Sequence, residues 1–170
     1  RSTATALAEL LPLRADDSGS VADPAVLLDG GRAALAQKDL ASAARFYRAL
    51  GSRAALLPAR SEQVVAYIEI ASALLASEKA PVDDVLAYLR EARRRSAGSG
   101  LTGLCAGVTA VAWLSTGAEA EGQGALGDIT DAEALKAFET SKAVWLPEGL
   151  LAAVLGVALD LEHPDLGAPY

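Results

Sequence analysis

Cys105 and His163 carry the most reactive side chains in this 170-residue chain, and each type occurs once. A thiol becomes a nucleophile when a base or a positive field lowers its pKa. Cys105 instead sits in LTGLCAGVTAVAWL, a stretch without a charge, so it reads as a small core residue. A single cysteine also rules out an intrachain disulfide. His163 lies between Glu162 and Asp165 beside Pro164, but one imidazole in a tail has no second ligand set to complete a metal site. Gly122, Gly124 and Gly127 follow no strand pattern and are too scattered for a phosphate loop. No nucleophile–base pair or paired carboxylates stand out. The expectation is a non-enzymatic protein with no cofactor and no metal. A net charge of -7 and a pI near 4.7 argue against a nucleic-acid partner.

The remaining candidates are cationic. Arg93, Arg94 and Arg95 are consecutive and end a segment that Pro81 opens and Asp83 and Asp84 follow. Acids in a first turn and bases in a last turn complement the helix dipole, which gives the cluster a structural reason to exist. Charge is nonetheless uneven along the chain. Residues 32–95 hold eleven basic and seven acidic groups, whereas residues 96–170 hold two and ten. Such a dipolar molecule is steered toward partners with complementary faces. Arg93, Arg94 and Arg95 are therefore candidate partner-binding residues.

These side chains need helices to position them, and the composition supplies them. Ala (38) and Leu (27) dominate, while Val and Ile together number 14. Ala and Leu lose little side-chain freedom in a helix, and β-branched residues lose more. The high Arg:Lys ratio and the absence of Asn and Met read as the signature of a GC-rich coding sequence. Helices are predicted over 3–13, 24–37, 40–50, 61–77, 81–95, 101–114, 130–145 and 147–161. Asp23 with Pro24 starts the second and Asp39 the third, with Gly51 as its terminator. Thr130 and Glu133 form a capping box for the seventh. The glycine-rich stretch 117–127 reads as the longest loop. Trp113, Trp145, Tyr67, Tyr88 and Phe138 sit at helical spacings that suit core packing. Short connections make neighbouring helices antiparallel, so the expected fold is all-α, with about seven to eight helices as stacked hairpins in a short solenoid or irregular bundle.

Repeats sharpen this expectation. Ala43-x-x-x-Tyr47-x-x-Leu50 is echoed by Val85-x-x-x-Leu89-x-x-Ala92 and by Ala134-x-x-x-Phe138-x-x-Ser141. With Leu27, Gly31 and Ala34, the first of these makes residues 27–50 resemble a tetratricopeptide repeat, and the other two resemble further units. The resemblance implies that Gly31 and Ala43 let two helices of a hairpin approach closely, that Leu27 and Tyr47 fill the seam between hairpins, and that Arg32 faces a concave groove, which makes it a fourth candidate partner-binding residue. The neighbouring Gly30 has no visible reason for being glycine.

The expected organisation is an N-terminal helix and polar loop at 1–20, a hairpin domain at 21–162 and a tail at 163–170. The expected function is a protein–protein interaction or scaffold module whose partner is another protein or a multi-subunit complex. An alternative is an accessory structural subunit of a large membrane-associated complex, peripheral or with one short inserted helix at 101–117. The uncharged run 96–118 follows three arginines and contains Gly103-x-x-x-Gly107, both traits of membrane helices. Its strongly apolar part, between Leu101 and Leu114, is short enough to favour a buried helix. A chain beginning at Arg1 reads as processed or as part of a longer one, which leaves the compartment open.

Overall fold

The computed structural model describes residues 23–76 and 82–127, together with Lys136 and Leu146. Six α-helices and one short 3-10 turn occupy these residues, and no strand occurs among them. The helices predicted over 3–13, 130–145 and 147–161, the capping box at Thr130 and the tail around His163 lie outside the described residues.

Helix α1 (Pro24–Ala36) begins where the Asp23 carboxylate accepts the Ala25 N–H at 2.8 Å, with Pro24 in the first turn. Its end is a Schellman turn: the Lys38 N–H donates to Leu35 O and the Asp39 N–H to Ala34 O. The residue that must turn left-handed there is Lys38, at φ 58°, where glycine would be less strained. Asp39 immediately caps α2 (Leu40–Gly51), accepting the Ser42 N–H and hydroxyl at 3.1 and 2.7 Å. The 3-10 turn Ala54–Leu56 leads to α3 (Arg60–Ala76), and α4 (Val82–Arg95) returns antiparallel against it. After a turn with Gly98 and Gly100 in the left-handed region comes α5 (Thr102–Ser115). It ends in the same Schellman geometry as α1, this time with Gly117 at φ 79°, and α6 (Glu119–Gly127) follows.

The helices pack chiefly on their neighbours in the chain, giving the hairpins α1–α2, α3–α4 and α5–α6, with α2 against α3 and α4 against α5. A single core runs through α1 to α5, from Leu27, Phe46, Tyr47 and Leu50 through Ile68, Ile70 and Leu74 to Leu89, Leu104 and Val108.

Three glycines correct the sequence reading. Residues 119–127 are a helix, not a loop. Gly122 is buried there because α6 lies so close to α5 that a β-carbon would stand 3.0 Å from Leu114 Cγ and 3.3 Å from Ala110 O. Gly51 is the last helical residue of α2, not its terminator, and a side chain there would run into the Tyr88 hydroxyl. Gly30 has a packing reason after all, since a β-carbon would overlap the Phe46 ring. A local reading treats glycine as a breaker, but between packed helices it is the residue that admits a neighbour's ring or backbone.

Helix α5 is uncharged and fourteen residues long, and the consecutive residues Gly103, Leu104, Cys105, Ala106, Gly107 and Val108 are all buried, so this part of it is covered all round. At 1.5 Å per residue it spans about 21 Å, short of a hydrocarbon core of about 30 Å. No described helix is long and apolar enough to cross a membrane.

Candidate interaction surface

Glu69 lies in the middle of α3 and is completely buried. A buried carboxylate is costly unless paired and hydrogen-bonded. Arg32 of α1 meets it with a bidentate fork: Nε donates at 3.0 and 3.2 Å to the two carboxylate oxygens, and Nη2 donates at 2.8 Å to Oε1. The Tyr47 hydroxyl of α2 completes the cluster at 3.5 Å from Glu69 Oε2. The Tyr47 ring packs where Gly31 leaves room, a β-carbon there standing 2.8 Å from the ring. The hydrogen bond to Glu69 raises the Arg32 pKa further above its already high value. Burial, and then the negative charge of Glu69, push the Tyr47 phenol well above its ordinary value. At neutral pH Arg32 is therefore a charged guanidinium and Tyr47 a neutral phenol.

This cluster sets the relation of α1 to α3. Arg32 and Glu69 stand at matching depths, eight and nine residues into their helices, as in helices that run side by side in the same direction. Between the two helices lies a groove of about 320 Å³. Leu28, Leu57 and Val65 supply its apolar surface, while Arg32, Asp29 and Glu62 supply charges of both signs. Two of the Arg32 nitrogens are committed to Glu69, but 39% of the side chain remains exposed and Nη1 makes no hydrogen bond among the described residues.

The three consecutive arginines are separated by the structure into different environments. Arg94 and Arg95 both bond Glu91, and those hydrogen bonds hold the Glu91 carboxyl below its usual range. Arg95 is largely covered: its guanidinium lies 5.2 Å from the centre of the Tyr67 ring and its Nε donates to Gln63 Oε1 at 3.1 Å. It fastens the end of α4 to the start of α3. Arg93 and Arg94 are exposed. Arg32 engages a different face of α3, so the four arginines do not form one patch.

Sequence reading missed Glu69 and the role of the Tyr47 hydroxyl. The available signal was a lone acid in the uncharged stretch 64–77. Cys105 is buried, and burial pushes its thiol up to about 12, so at neutral pH it is protonated and inert. No group of three or more His, Cys, Asp or Glu is close enough to hold a metal ion among the described residues. Comparison with known proteins gives no match to a family model, a curated protein or a solved structure.

Proposed function

We propose that this protein is a non-enzymatic protein–protein interaction module of tetratricopeptide-like design, which receives a segment of a partner protein in the α1–α3 groove. The observation that carries this reading is the groove itself, an apolar floor with charged sides between two helices whose register Arg32 and Glu69 fix. A binding groove needs to be preformed, because ordering it upon association would cost affinity. The bidentate pair and the buried Tyr47 supply that rigidity. The partner chemistry follows from the lining: an apolar anchor for Leu28, Leu57 and Val65, an acceptor for the open donors of Arg32, and a donor or cation for Asp29 and Glu62.

A photo-crosslinking residue at Ser61, which lines the groove, is compared with one at Asp84 in the first turn of α4. In extracts of the native source, one partner is expected to be captured from Ser61, not from Asp84, and to be lost when Val65→Asp is added. Equal capture from both positions, or capture indifferent to Val65→Asp, contradicts the reading.

A further inference from the structure

A second recess lies at the other end of the described helices and has a different chemistry. It is a pocket of about 420 Å³ between α4, α5 and α6, within the usual range of small-molecule sites. Leu86 and Leu89 of α4 and Ala106 and Trp113 of α5 give it an apolar lining. Arg90 and Arg93, one helical turn apart, are its charged groups, and no acid lines it among the described residues. Neither guanidinium has an ion-pair partner among the described residues, unlike Arg94 and Arg95 beside them. The helix dipole explains why arginines end α4, but not why these two border an apolar pocket without a carboxylate.

We propose that this pocket binds a small monocarboxylic acid, its carboxylate on Arg90 and Arg93 and its hydrocarbon body against Leu86, Leu89 and Trp113. Two adjacent guanidiniums offer planar forks that match a carboxylate or a phosphate. The choice falls on the monoanion. Both arginines stand near the C-terminal end of α4, where the helix dipole is negative and opposes a second ligand charge, and among the described residues the lining includes no helix N-terminus of the kind that favours phosphate. The Thr109 hydroxyl, already donating to Cys105 O at 2.7 Å, can only accept from a ligand, which leaves the arginines as the donors. Gly124 of α6 forms part of the wall, and a β-carbon there would meet nothing within 4 Å. A larger residue at that position would intrude on the space without disturbing the helices.

Octanoate is titrated into the full chain by calorimetry, and into a Trp145→Phe variant, in which Trp113 is the remaining tryptophan, by fluorescence. Octanol and octyl phosphate serve as comparison ligands. Saturable octanoate binding that shifts Trp113 emission is expected. Arg90→Gln with Arg93→Gln should weaken it by about tenfold or more, the loss of charge-assisted hydrogen bonds, and Gly124→Leu should abolish it with the circular dichroism spectrum unchanged. Octanol binding as well as octanoate, octyl phosphate binding more tightly, or variants indistinguishable from the parent would each overturn the proposal. So would the absence of octanoate binding to the full chain by calorimetry.

Discussion

The seam between the first two hairpins and the seam between α4 and α5 join helices of similar length in opposite ways. In the first, large and charged side chains interlock: Tyr47 fills the space left by Gly31, and its hydroxyl meets a buried Glu69 that Arg32 reaches from α1. In the second, every residue of α5 is uncharged, and among the described residues the side-chain polar contacts are at the junction, where the Ser96 and Thr102 hydroxyls meet at 3.0 Å. The buried charge tolerates little displacement, because sliding α1 along α3 would leave Glu69 without its fork. The uncharged seam imposes no such demand, and the larger recess lies beside it. Polar locking fixes register, whereas an uncharged seam has no buried ion pair to hold one.

Substitutions separate the two seams, the largest effects falling on the first. Tyr47→Ala removes a fully buried ring at the centre of the lock and should cost about 3–5 kcal/mol in chemical denaturation. Tyr47→Phe, which keeps the ring and loses one long hydrogen bond, should cost about 1 kcal/mol or less. Arg32→Ala leaves Glu69 buried without its cation. Because Arg32 is partly exposed and solvent screens it, the cost should be about 2 kcal/mol, below the 3–5 typical of fully enclosed pairs. In the second seam the sensitive group is Cys105. Its folded-state pKa of about 12 lies above its ordinary value, so the folded chain binds more protons than the unfolded one across that interval. Stability is therefore retained below about pH 9 and falls as the pH rises toward 12, a slope to which the raised Tyr47 phenol adds. Cys105→Ala should make the alkaline decline shallower in pH-dependent denaturation. Gly124→Ala should be the mildest change and a stabilising one, by about 0.5–1 kcal/mol, since a helical glycine is replaced where space is open.

The starts of α1 and α2 were legible because Asp23, Pro24 and Asp39 act on backbone groups within three residues of themselves. The all-α architecture followed equally from Ala and Leu content and from the helical spacing of apolar residues. Helix α6 was not legible, because its glycines weaken local propensity and the reason for one of them, Gly122, lies in Leu114 and Ala110 of another helix. The same limit applied at Gly30, whose reason is a ring on α2. Arg32 stood out through resemblance to a repeat unit, but its tie to Glu69 crosses 37 residues and no local pattern records it. Arg93, Arg94 and Arg95 looked like one cluster in the sequence. The helix turns them to different sides, and Glu91, Gln63 and Tyr67 hold Arg95 in the framework while Arg93 borders the second pocket.

The α1–α3 groove exists because Arg32 and Glu69 hold those helices together, and a double-mutant cycle on the two residues tests that most directly. Arg32→Leu, Glu69→Leu and the double variant are compared with the parent by urea denaturation. The expected coupling is about 1–3 kcal/mol, with the double variant nearly as stable as the parent, because the unpaired charge that makes each single change costly is gone. Additive single effects, with coupling below about 0.3 kcal/mol, would mean that the two side chains do not meet in solution and that the groove is not held in this form.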